Sequence, residues 1–98
     1  MDVIWRVVVR GRVQGIGFRA WAEVTALELG VDGWVRNCRD GSVEAVLAGS
    51  EEVVLTMIEA CRQGPPGARV EAIDQRDAEV DDLALRRRGE LFSILTTA

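Results

Sequence analysis

The sequence predicts an α+β fold: a βαββαβ chain order, built as an antiparallel sheet with two helices on one face. Three observations point there. Two segments repeat apolar residues at helical spacing, and each is closed by glycine. A hairpin turn signal, Asp40-Gly41, lies between them and joins two short strand-like runs. Strand-like runs also precede the first helical segment and follow the second. Two helices separated by a hairpin bury their apolar stripes most simply on one side of one sheet.

Taken in order, residues 3–10 (VIWRVVVR) alternate, with Val3, Trp5, Val7 and Val9 on one side and Arg6 and Arg10 on the other. That is a half-buried strand. Residues 18–29 place Phe18, Ala22, Ala26 and Leu29 on one helical face, widened by Trp21 and Val24, and Gly30 stops the helix. Residues 33–38 and 42–48 form the two arms of the hairpin. A second helix begins after Ser50, a good N-cap, with Glu51 and Glu52 complementing the dipole in its first turn. Its apolar face is Val54, Met57, Ile58 and Cys61, and Gly64-Pro65-Pro66-Gly67 ends it. Residues 69–78 read as a fourth strand, 79–90 as a charged loop, and 91–96 as a short closing strand. This is the ferredoxin-like sandwich, which hosts many functions and decides none by itself.

Composition narrows the chemistry. Ninety-eight residues suit one domain, 1–98. Charges interrupt every apolar stretch before the ~18 residues of a membrane span, and the start, MDVIWRVVVR, does not read as a signal peptide. A cytoplasmic protein acting as a monomer, with no membrane partner, is expected. The net charge of −4 argues against a nucleic-acid partner. All 12 basic residues are arginine, and histidine is absent. Without lysine there is no Walker A loop and no Schiff base; without histidine there is no Ser-His-Asp triad and no histidine-ligated metal. Cys38 and Cys61 form no metal motif and read as free thiols, with a disulfide as the alternative if the fold brings them close. Neither is followed six positions on by arginine, which removes the cysteine-phosphatase loop.

The densest signal is GRVQGIGFR, Gly11 to Arg19, between the first strand and the first helix. It carries three glycines and two arginines, with no acid and no proline. Amides in a tight glycine-rich bend can converge into an anion-binding nest, and the helix start adds free N–H groups and a positive dipole end. Arg19 adds a permanent charge with a planar fork of donors that matches two phosphate oxygens. From these residues alone, a glycine-rich turn beside a surface arginine would read the same way.

GRVQGIGFR, followed by ALELGVDGWVRNCRDGSVEAVLAG, resembles the acylphosphatase family, whose signature is similar to G-R-V-Q-G-V-G-F-R and then L-G-x-x-G-W-V-R-N-x-x-D-G-x-V-E. Ile16 stands where valine is more usual, and Phe92-x-Ile94 resembles the family's closing strand. The resemblance covers nearly the whole chain. It implies hydrolysis of the carboxyl-phosphate bond of a small-molecule acyl phosphate, releasing carboxylate and inorganic phosphate. It also implies that Gln14, Gly15, Ile16, Gly17 and Phe18 form the phosphate-binding loop. Arg19 takes the place of the phosphate-binding arginine, and Asn37 that of the asparagine that holds the attacking water. The resemblance thus implies Arg19 and Asn37 as the catalytic residues, with no metal and no cofactor.

The missing residue types suit that reaction. The leaving carboxylate has a conjugate-acid pKa of about 4 and needs no general acid, whereas an alkoxide would need a proton. A non-catalytic phosphate-binding domain on the same fold would keep the loop and Arg19 but would not need Asn37. Elsewhere, Trp5, Trp21 and Trp34 read as packing, Arg12 and Arg36 as solvated arginines, Asp40 and Glu44 as turn and strand-surface residues, and the acidic segment from Glu71 to Asp82 as a solvated face. The run Arg86-Arg87-Arg88 carries no signature.

Overall fold

A computed structural model describes residues 2–98. In chain order the elements are β1 (Asp2–Arg12), α1 (Phe18–Leu29), β2 (Asp32–Asn37), β3 (Val43–Ser50), α2 (Glu51–Gln63), β4 (Arg69–Asp77), α3 (Val80–Leu83) and β5 (Phe92–Ile94). The sheet order is β4-β1-β3-β2-β5. β1 pairs antiparallel with β3 and β4, and β2 antiparallel with β3. These four strands and the two long helices make the expected ferredoxin-like sandwich. The expected antiparallel sense fails only at the closing strand: β5 lies parallel to β2. The chain between β4 and β5 crosses the sheet before returning, so its last strand runs the same way as β2.

Alternation decides which residues meet the helices. Val7 and Val9 of β1, Val35 of β2, and Val43 and Leu47 of β3 join the core with Phe18, Ala22 and Ala26 of α1. The α2 face is the expected one: Val54, Met57, Ile58 and Cys61 are all buried. Burial pushes the Cys61 thiol up to about 12, so it stays protonated and fills space as a small apolar group. Val24 departs from the expected α1 stripe and is 54% exposed. It lies two positions from both Ala22 and Ala26, and two positions on a helix turn to the far side.

The opposite sheet face is also covered, which the sequence reading did not anticipate. Arg6, Val46, Trp34 and Ser93 form one row across β1, β3, β2 and β5. Trp34, Val46 and Ser93 are fully buried there. The cover is the segment read as a charged loop. It contains α3, whose start is fixed by a reciprocal cap between Glu79 and Asp82. The Trp34 indole N–H donates to the Asp82 carbonyl at 2.7 Å, and Arg6 pairs with the Asp82 carboxylate at 3.1 Å. Asp82 therefore holds the cover down, which corrects its placement in a solvated acidic face. The Asp82 carboxyl lies below its ordinary value, first through the Glu79 amide and then through Arg6. Glu44 sits between Arg36 (2.8 Å) and Arg6 (3.1 Å). The Arg6 Nε–H is not aimed at that oxygen, so the contact is an ion pair without a hydrogen bond.

Candidate active site

β1 ends at Arg12, and the chain turns through residues 13–17 into α1. Gly15 (φ 76°) and Gly17 (φ 80°) occupy the left-handed region. A Cβ at either would meet no protein atom within 4 Å. Glycine is therefore required there by backbone conformation rather than by crowding. Gly17 caps α1 with no side-chain acceptor, and the first turn holds no acid. The N-terminal amides of α1 thus have no side-chain cap among the described residues. Gly11 serves a different purpose: it sits in β1 where the register with β4 shifts, and a Cβ there would strike the Arg69 carbonyl.

Over this turn lies a cavity of about 270 Å³ lined by Val13, Gln14, Gly15, Gly17, Phe18, Arg19, Ala20, Asn37 and Ile94. It brings Arg19, at the start of α1, to the same space as Asn37, at the end of β2. Arg19 is half-buried and makes no ion pair among the described residues, while Arg6, Arg10, Arg36 and Arg62 are all paired. Its fork is free to meet an anion.

Not every loop residue offers its side chain to the cavity. Ile16 is absent from the lining and packs against the core. The Phe18 ring is buried and meets Trp21 edge-to-face at 5.2 Å. The Gln14 carboxamide donates to the carbonyls of Cys38 (2.7 Å) and Ser42 (2.8 Å). Three lining residues were not foreseen: Val13, Ala20 and Ile94. Ile94 gets there because β5 pairs in parallel with β2, opposite Val35, and no local pattern encodes that pairing.

Asn37 is held by backbone. Its carbonyl accepts from Ala98 N–H at 3.0 Å, and Leu95 N–H donates to Val35 at 2.9 Å. The hairpin beyond it is tied by Asp40, which accepts from the Ser42 hydroxyl (2.6 Å) and amide (2.9 Å). Those bonds, and then Arg10, hold the Asp40 carboxyl below its usual value. Asp40 and Glu44 are both engaged in structure, as expected. Arg36 pairs with Glu44 and stacks over Trp34 at 4.6 Å, so it is no solvated arginine and does not reach the cavity. Two arginines of the run at 86–88 are likewise committed: Arg86 donates to the Leu91 carbonyl and Arg87 pairs with Glu90. Among the described residues no group of three His, Cys, Asp or Glu side chains could hold a metal ion.

Fold and cavity together define a ferredoxin-like sandwich with a cavity at its first strand–helix turn, lined by Arg19 and Asn37. The acylphosphatase family profile matches residues 5–88. An acylphosphatase from Rhodopseudomonas palustris is 57% identical over 96 residues, covering 98% of this chain and 97% of the relative. The crystal structure of acylphosphatase from Bacillus subtilis superposes with a TM-score of 0.81 at 33% identity, covering 97% of this chain and 99% of the other. An acylphosphatase from Coxiella burnetii also gives 0.81, at 29% identity over 96% of this chain and 93% of the other. The chain belongs to the acylphosphatase family and is an enzyme of that family.

Proposed function

We propose that the chain hydrolyses the carboxyl-phosphate bond of small acyl phosphates by direct attack of water, with the amides of Gln14–Phe18 and Arg19 holding the phosphate and Asn37 orienting the water. The observation that carries this is the single cavity joining the free amides of the turn, the unpaired Arg19 and Asn37.

Phosphoryl transfer runs through a loose transition state, so catalysis is mostly positioning and charge stabilisation. Water oxygen bonds to phosphorus as the bond from phosphorus to the acyl oxygen breaks. The bonding pair leaves on the carboxylate, which needs no proton at neutral pH. The water's proton passes to a phosphate oxygen, so no general base is required. Amides and guanidinium neutralise the equatorial oxygens. The Asn37 amide offers a donor and an acceptor, and so aims a water without taking a proton from it. No phosphoenzyme, metal or cofactor enters the proposed cycle. We take the working form to be a cytoplasmic monomer of one domain; two free thiols support a reducing compartment.

The test separates binding from turnover. Asn37→Ala should keep affinity for inorganic phosphate within a few-fold of wild type, while turnover on benzoyl phosphate falls by roughly 100-fold or more, the scale of losing one transition-state donor. Phosphate affinity is read by calorimetry and turnover by phosphate release, in the same folded variant. Undiminished turnover in Asn37→Ala would remove the water-orienting role, and absence of turnover in the wild type would favour a phosphate-binding domain.

A further inference from the structure

The Gln14 carboxamide does more than close a loop. Its single nitrogen donates to both carbonyls at the mouth of the β2–β3 hairpin, at 2.7 Å to Cys38 and 2.8 Å to Ser42. Those two residues already close the hairpin: Cys38 N–H donates to Ser42 at 2.8 Å, and Gly41 N–H to Cys38 at 3.1 Å. A carbonyl has two lone pairs, and on each of these one serves the hairpin and the other Gln14. Both amide hydrogens of Gln14 are spent, so the bridge is saturated and has one geometry. Gln14 precedes the first glycine of the cradle, and Cys38 follows Asn37. Among the described residues, no other side-chain hydrogen bond joins residues 13–19 to residues 37–42.

We propose that Gln14 is a positioning residue: its two-pronged bridge sets the distance and angle between the bound phosphate and the water held by Asn37. This rests on the hydrolytic reading above. The phosphate grip comes from the turn amides and Arg19, which the bridge does not supply. The alignment of water with phosphorus depends on how the hairpin end sits against the turn, which the bridge fixes. A small misplacement of a reacting atom is enough to cost about 100-fold in rate. Only a nitrogen with two hydrogens at this reach can make both bonds. Glutamate has none and would oppose two carbonyls, methionine has the length but no donor, and asparagine ends one bond short.

The experiment is a double-mutant cycle between Gln14 and Asn37, read by turnover on benzoyl phosphate and by inhibition with inorganic phosphate. Gln14→Met should lower kcat by about tenfold or more, with KM and phosphate inhibition within about twofold. In an Asn37→Ala background the same change should have almost no further effect on kcat, because there is no aimed water left to misplace. Gln14→Glu should be worse than Gln14→Met. If Gln14→Met does not fold, Gln14→Asn takes its place in the cycle with the same expectations. A multiplicative cycle, with the Gln14 effect undiminished when Asn37 is absent, overturns the proposal. So does a loss of phosphate binding that matches the loss of kcat. Full turnover in Asn37→Ala alone would instead sink the water-orienting role of Asn37, and this proposal with it, while absence of turnover in the wild type would sink the hydrolytic reading itself.

Discussion

Arg19 has no carboxylate partner among the described residues and lines the cavity, and the proposed reaction uses that freedom. Its value is the fork as well as the charge. Lysine in its place would keep one positive point but lose the paired, planar donors that match two phosphate oxygens. With charged hydrogen bonds contributing about 1.5–3 kcal/mol each, Arg19→Lys should lower kcat/KM at least tenfold, measured by phosphate release from benzoyl phosphate. Near-normal kinetics would mean that charge alone suffices. Arg19 was legible in the sequence because its neighbours are local: glycines whose left-handed φ values build the turn, and a helix start without a cap. The orientations of Gln14 and Ile16 were not. Which way a loop side chain turns depends on what lies beside the loop, here the hairpin mouth for one and the core for the other.

At the scale of elements, β2 is the strand on which two layers meet. Val35 faces the helices, and Trp34 faces the opposite side under α3. The hairpin signal and the alternation were enough to place β2 and β3. They were not enough to show that Trp34 needs a lid, because the lid comes from residues 79–90, which are charged and carry little apolar periodicity. Trp34→Phe removes the bond to Asp82 and leaves a void where the larger ring was. It should destabilise by about 2 kcal/mol and lower Tm in thermal melts. Turnover should hold at temperatures where the protein stays folded, since Trp34 lines no part of the cavity. Loss of turnover without loss of Tm would show that the outer layer controls Asn37.

At the scale of the whole molecule, the lid and the hairpin make folding sensitive to acid. Asp82 and Asp40 both titrate below their ordinary value in the fold. A carboxyl held low contributes stability that is present above its unfolded pKa of about 3.9. That stability is lost as pH falls through the folded value, because the unfolded chain then binds the proton more readily. Asp82→Asn should therefore melt below wild type at neutral pH, and the gap should narrow as pH drops from about 6 toward about 3. Melting curves across that range check it; a constant gap would place Asp82's contribution in packing rather than charge.

The sequence by itself determined the order of the five strands and the two long helices, the left-handed turn between β1 and α1, and the residue types of that turn. Each of these is set by interactions within one or two turns of chain: period, capping, glycine φ and arginine chemistry. The tertiary structure alone decided that β5 lies parallel beside β2 and that α3 seals the outer face over Trp34. It alone decided that Gln14 reaches across to the hairpin, and that Arg19 and Asn37 share one cavity. Those are contacts between segments distant in the chain. Their energy comes from burying apolar surface and pairing polar groups across the fold, which no local pattern records.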